Sequence, residues 1–214
     1  MQEINTILIG IILIDFFLLG TSRLSACINA AALQGAVLGV TIMLVAKSSF
    51  AWHTALLAIG MVAIKGLVVP RLLFRAIRQA KIRREVEPLI GFTASMLIGI
   101  LMVFFSFWMS SRLSLPIPTP APLLMPAAFT TLMTGLLIMV SRSKALTQVV
   151  GYLVMENGIF LFGLVLAEGM PFLVEMGILL DVFIAVFVMG IAIYHINQAF
   201  DDIYDEESLT TLQG

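Results

Sequence analysis

The chain has 214 residues, of which 60% are hydrophobic and only 12% are charged, and its formal net charge is −1. Soluble domains carry about 25% charged residues, so this composition excludes a water-soluble enzyme and, with no basic soluble domain, also argues against nucleic-acid binding. The single cysteine, Cys27, excludes an internal disulfide, and no Cys-x-x-Cys or histidine pair indicates a haem, iron–sulfur or zinc site in this chain.

Seven apolar segments fill nearly all of the chain, and each is close to the length of about 20 residues that crosses a bilayer as a helix. The first opens with Met-Gln-Glu and has no positively charged region before it, so we expect it to be a retained span rather than a signal peptide. The sequence therefore predicts an all-α fold, a polytopic membrane bundle of seven transmembrane helices. The predicted spans are 4–20, 26–46, 52–70, 89–110, 124–140, 147–166 and 172–195.

Composition divides the chain into four parts. Residues 1–110 form an N-terminal part with four helices, and residues 111–123 form a crossover whose alternating prolines favour a stiff extended segment. Residues 124–200 form a C-terminal part with three helices, and residues 201–214 form an acidic tail.

Lysine and arginine placement predicts the orientation in the membrane. Nine basic residues follow the first, third and fifth spans, whereas only Lys47 and Arg112 lie in the opposite loops. Because cytoplasmic loops are enriched in Lys and Arg, we expect the N-terminus outside and the C-terminus in the cytoplasm. Arg71, Arg75 and Arg78 have the spacing that places them on one face of a helix, where contact with anionic lipid is enough to explain them.

Three ionisable residues lie well inside apolar segments: Lys65, Glu156 and Asp181. A charge at the centre of a bilayer costs about 2.5–3.5 kcal/mol on the gentler scales, so such residues face the bundle interior and indicate a function. Burial favours the neutral form of both acids and amines, which makes proton exchange near neutral pH feasible. These three are the candidate proton-relay residues, with Asp15, Glu175 and Asn157 as supporting residues.

Each candidate also has a structural interpretation. Lys65, five residues before Pro70, is predicted near the cytoplasmic end of its span, where it could extend to the interface or pair permanently with Asp15 at a similar depth. Glu156 could bond Asn157 or the backbone as a packing contact. Glu175 lies near an interface, and Gln34 is better explained as a hydrogen bond between helices.

The segments AIKGLVVP, SRSKALTQVVGYLVMENGIF, FLVEMGILLDVFIAVFVMGI and SLTTLQG stand in the same order as in component E of hydrogenase-4, and the resemblance spans essentially the whole chain. GYLVMENG followed by VEMGILLD is its specific part. The last three spans also resemble the K-type subunit of complex I and the C-type subunit of multisubunit cation/proton antiporters. Asp181 matches the later acid of those subunits, and Glu156 lies about one turn from the position of the earlier one.

The resemblance implies a non-catalytic subunit in the membrane arm of a group 4 nickel–iron hydrogenase or formate hydrogenlyase-like complex. It implies the inner (plasma) membrane of a prokaryote, with antiporter-like membrane subunits, a membrane anchor subunit and soluble redox subunits as partners. The nickel–iron centre and iron–sulfur clusters belong to those partners, and this chain itself holds no cofactor. Two alternatives remain open: a transporter, either stand-alone or as a subunit of a multisubunit cation/proton antiporter, and a structural scaffold whose buried charges only pair.

Overall fold

A computed structural model describes residues 2–45, 52–79, 88–113 and 121–166, and within these ranges the fold is all-α, as predicted. The helices follow one another as α1 Gln2–Gly20, α2 Leu24–Val45, α3 Trp52–Ala63, a π-helical turn Ile64–Val68, α4 Val69–Gln79, α5 Phe92–Arg112, α6 Leu124–Ser141 and α7 Ala145–Leu166.

Five of the described helices are long and apolar enough to cross a membrane, namely α1, α2, α5, α6 and α7. They coincide with predicted spans one, two, four, five and six. The seventh predicted span, 172–195, the acidic tail and most of the proline-rich crossover lie outside the described residues. The bundle of seven spans and the division into four parts therefore stay predictions.

The third predicted span is part of a longer helix. The predicted span ends at Pro70, and proline, which has no N–H and whose ring clashes with the preceding turn, commonly ends or kinks a helix. In the structure α3, the π-helical turn and α4 follow without a break from Trp52 to Gln79. The N–H of Val69 bonds the carbonyl of Ile64, five residues back, so the helix is widened just before Pro70 and continues through it. Lys65 thus lies near the middle of this helical run rather than near an end.

Helix α4 is amphipathic. Arg71, Arg75 and Arg78 are exposed on one face, as their spacing predicts. Its opposite face buries Leu73 and Ala76 against the bundle.

Three helix connections meet at one end of the bundle. The N–H of Leu89, just before α5, bonds the carbonyl of Ser141 at the end of α6 at 2.8 Å. The guanidinium of Arg142 donates to the carbonyl of Leu19 at the end of α1 at 3.0 Å. We call this the arginine-rich end, because Arg23, the exposed arginines of α4 and Arg142 all lie there.

Helices α6 and α7 pack most closely, through glycines. A Cβ on Gly135 would collide with the backbone nitrogen of Met155, and one on Gly158 would collide with that of Leu132. Helix α5 lies at the periphery, with Leu101 and Phe104 exposed and only small residues such as Gly99 buried. An apolar helix surface of this kind suits contact with lipid or with other membrane helices.

The core consists of two apolar clusters, one toward each end of the bundle. The cluster at the arginine-rich end includes Leu18, Leu24, Leu73, Ile138 and Leu153. The cluster at the far end includes Leu8, Leu38, Met61, Ala128 and Leu161. In each helix that contributes to both clusters, a short stretch separates the two sets of residues.

Candidate functional site

A layer of buried polar side chains fills the interval between the two apolar clusters. All of its members are at most 5% exposed. Each helix with residues in both clusters contributes at least one of them, so the layer extends across the bundle at one level. We define the polar layer as Asp15 of α1, Gln34 of α2, Lys65 of the π-helical turn, Thr131 of α6, and Glu156 and Asn157 of α7.

Hydrogen bonds join these side chains into a chain. Thr131 Oγ1 donates to Asp15 Oδ2 at 2.7 Å, and Gln34 Nε2 donates to Asp15 Oδ1 at 2.9 Å. Asn157 Nδ2 donates to Gln34 Oε1 at 3.2 Å. Lys65 Nζ in turn donates to Asn157 Oδ1 at 3.0 Å. The carboxylate of α1 and the ammonium of the π-helical turn are thus linked through two amides.

Lys65 forms a buried ion pair with Glu156. Its Nζ lies 3.4 Å from Glu156 Oε1, and the two side chains are 5% and 3% exposed. Removing one partner of such a pair costs about 3–5 kcal/mol, because an uncompensated charge then stays buried. The pair can also discharge itself: a proton moving from the ammonium to the carboxylate leaves a neutral amine and a neutral acid.

The ion pair that the structure shows for Lys65 is with Glu156 rather than with Asp15, and the interpretation that Lys65 extends to the interface is wrong. Lys65 pairs with Glu156, while both carboxylate oxygens of Asp15 accept bonds from Gln34 and Thr131. The physical reason is the continuation of the helix past Pro70, which places Lys65 deep in the bundle. The prediction that Gln34 makes a hydrogen bond between helices is confirmed, and this bond connects Asp15 to Asn157.

Close approach of α2 and the π-helical turn positions Lys65. An added Cβ on Gly35 would lie 2.6 Å from Lys65 Cβ, so glycine at this position lets the lysine stem lie against α2. The neighbouring Gln34 then points into the same layer. Gln34 and Gly35 together explain why the ammonium group of Lys65 lies between α2 and α7.

The structure therefore brings together four of the predicted residues, Lys65, Glu156, Asp15 and Asn157. Asp181 and Glu175 lie outside the described residues, and their roles stay predictions. Sequence reasoning missed Thr131, because a threonine in an apolar helix can simply bond its own backbone. Within the described residues, no group of three or more His, Cys, Asp or Glu side chains is placed to hold a metal ion.

In the sequence, Arg142 is only one of the basic loop residues that predict orientation. In the structure Arg142 lies inside the protein and is 1% exposed. Its guanidinium donates to the carbonyls of Leu19 and Ile90 at 3.0 and 3.3 Å and lies 4.8 Å from the centre of the Phe92 ring. Burial lowers the pKa of this guanidinium, but an arginine stays protonated at neutral pH. Counting the lysines and arginines of the loops predicts the orientation in the membrane, but it does not show which of these arginines is buried.

Comparison with known proteins shows two sets of relatives. The chain is 31% identical over 196 residues to an uncharacterized protein of Mycobacterium tuberculosis. This alignment covers 90% of the chain and 88% of that protein. It is 32% identical over 150 residues to hydrogenase-4 component E of Escherichia coli K12. This alignment covers 70% of the chain and 69% of that protein. Hydrogenase-4 component E of Shigella flexneri matches to the same extent. No protein-family model matches the chain, and no solved structure matches it.

Proposed function

The chain belongs to the hydrogenase-4 component E family, and from this premise we propose that it is a non-catalytic membrane subunit of a hydrogenase-4-type complex whose polar layer contributes to proton or cation translocation. Its proposed partners are antiporter-like membrane subunits, a membrane anchor subunit and soluble redox subunits. The nickel–iron centre and the iron–sulfur clusters belong to those partners in this proposal, and the chain lies in the inner membrane.

The polar layer is the observation that supports this proposal. A scaffold needs no charges inside its bundle, because apolar side chains of similar volume pack at least as stably as a buried ion pair. Lys65 and Glu156 nevertheless lie together in the middle of the helices, where intramembrane ionisable residues indicate ion or proton handling.

Proton exchange is assigned to the Lys65–Glu156 pair. The Lys65 ammonium gives a proton to the Glu156 carboxylate, which produces an amine and a carboxylic acid. The acid then releases this proton to the next acceptor of the path, and the amine takes up an excess proton that water carries from the aqueous phase, which restores the pair. Each cycle moves one proton past the pair.

The amides of Gln34 and Asn157 have a different role. A carboxamide donates and accepts hydrogen bonds but does not titrate at neutral pH. The two amides therefore hold Lys65 in place and transmit the charge state of Asp15 to it, through bonds of 2.9, 3.2 and 3.0 Å. Asp15 acts in this proposal as an electrostatic partner rather than as a member of the proton path.

The test uses membrane vesicles that contain the intact complex, with the ratio of ions moved to electrons transferred as the measurement. We expect Glu156→Gln to lower this ratio severalfold, because glutamine retains size and hydrogen bonding but cannot accept a proton. Glu3→Gln is the matched control, since Glu3 is an exposed acid at the start of α1. The ratio should be unchanged in this control.

A double variant separates assembly from proton transfer. Glu156→Gln leaves the Lys65 charge uncompensated, so the single variant can assemble poorly for electrostatic reasons. The double variant Lys65→Met, Glu156→Gln has no buried charge in the pair and should assemble, yet move few ions. Normal assembly with an unchanged ratio in the double variant would overturn the relay and leave the scaffold alternative. Asp181→Asn is the corresponding test for the predicted third relay residue.

A further inference from the structure

A small cavity lies against the polar layer. Its volume is about 10 Å³, and two of its lining side chains are Lys65 and Asn157. The other described residues that line it are Ile28, Ala31, Ala32, Val69, Pro70, Leu73 and Leu153.

These remaining residues all lie on the same side of the layer. Ile28 and Ala31 precede Gln34 on α2, Leu73 follows Lys65, and Leu153 precedes Asn157 on α7. Each of these residues is nearer the arginine-rich end than the polar-layer residue of the same helix. Ile28 is four residues from the start of α2 at Leu24, or about 6 Å along the helix axis. The cavity therefore lies on the side of the polar layer that faces the arginine-rich end.

The cavity has the size and the chemistry for one water molecule. A water needs about 10–15 Å³ of such volume and two to four polar partners. The Asn157 side chain has one hydrogen and one oxygen lone pair beyond the bonds to Gln34 and Lys65. The Lys65 ammonium lines the same space.

A hydrated metal cation does not suit this space. Among the described residues that line the cavity there is no carboxylate and all but Lys65 and Asn157 are apolar, and the cavity is too small for an ion together with its water shell. A proton passes by exchange along hydrogen-bonded water, which requires only one water at a time.

We propose that this cavity is the inlet through which the Lys65–Glu156 pair exchanges protons with the aqueous phase at the arginine-rich end, and that the ion passing this pair is a proton rather than a metal cation. The inference rests on the proposed function of the pair and adds its route and its ion. Ile28, Leu73 and Leu153 form the apolar neck that restricts the inlet.

One experiment fills the cavity. Ala31→Val adds two methyl groups at the cavity wall, and we expect it to slow proton uptake by vesicles containing the intact complex severalfold. Ala30→Val is the matched control, since Ala30 is also buried on α2 but does not line the cavity. Its uptake rate should stay close to that of the unaltered complex. Neither rate should depend on sodium. Equal rates in the two variants, or a sodium requirement, would overturn the proposal.

A second experiment probes the route without using activity. In vesicles with a Cys27→Ala background, Leu73→Cys should be oxidised by hydrogen peroxide, a neutral thiol oxidant little larger than water. Reaction is read as protection of this subunit from a fluorescent maleimide after denaturation. Leu38→Cys, a buried position in the far-end cluster, is the control and should react much more slowly.

The two experiments also separate this inference from the function of the pair. Reaction of Leu73→Cys no faster than Leu38→Cys would overturn the inlet even if Glu156→Gln abolishes coupling. Conversely, fast oxidation of Leu73→Cys by peroxide combined with unchanged coupling in the Lys65–Glu156 double variant would overturn the proposed function while the water route remains.

Discussion

At the scale of single residues, Arg142 shows how one side chain connects several elements. It joins the end of α1, the segment before α5 and the Phe92 ring, and its own carbonyl accepts a bond from Gln148 Nε2 at 3.0 Å. The carbonyls at the end of a helix have no partner within the helix. A planar guanidinium can bond two separated carbonyls through two different nitrogens while its face lies over a ring, whereas an ammonium has only a single nitrogen.

We therefore expect Arg142→Lys to destabilise the subunit by about 1.5–3 kcal/mol, the usual value of one lost hydrogen bond to a charged group. Thermal unfolding of the purified complex in detergent measures this. Arg112→Lys is the control, because Arg112 is exposed at the end of α5 and should change stability by less than about 0.5 kcal/mol. Equal melting temperatures for the two variants would show that the buried contacts of Arg142 contribute nothing.

At the scale of elements, the pairing of α6 and α7 sets where Glu156 and Asn157 point. The adjacent Gly158 lies against the backbone of Leu132, and Gly135 lies against that of Met155. These contacts bring the two backbones together without side chains between them, which membrane helices commonly use for association. The rotation of α7 that results turns Asn157 toward Gln34 and Glu156 toward Lys65.

Gly158→Ala should consequently lower stability by about 1–3 kcal/mol, as overpacking does, and should also displace Asn157. Gly163→Ala is a matched control in the same helix, since no other helix among the described residues has an atom within 4 Å of the added Cβ. Thermal unfolding and the yield of assembled complex are the measurements. Tolerance of both substitutions alike would mean that α6 and α7 can separate without loss.

At the scale of the whole molecule, the bundle is a polar layer between two apolar clusters. Protonatable groups are thereby separated from both aqueous phases by apolar side chains, and the cavity beside Lys65 reduces this separation on the side of the arginine-rich end. The three connections at that end carry most of the basic loop residues, which predicts that this end faces the cytoplasm.

Cysteine labelling in intact cells and inverted vesicles tests the orientation in a Cys27→Ala background. Ser22→Cys, exposed between α1 and α2, should react with a membrane-impermeant reagent from the cytoplasmic side only. Leu113→Cys, just after α5, should react from the outside only, because it lies at the opposite end. Reversed accessibility at both positions would invert the topology and the direction assigned to the proton inlet.

The sequence by itself determined the membrane class, the helices, and the intramembrane residues Lys65, Asp15, Glu156 and Asn157. Hydropathy and helical spacing are local properties, so five spans and the shared face of the arginines of α4 could be read from them. Only the tertiary structure decided that Lys65 pairs with Glu156 rather than Asp15 and that Arg142 is buried. A side chain's partner depends on helix rotation and on how closely backbones approach, which here follow from the helix passing through Pro70 and from contacts at Gly35 and Gly158.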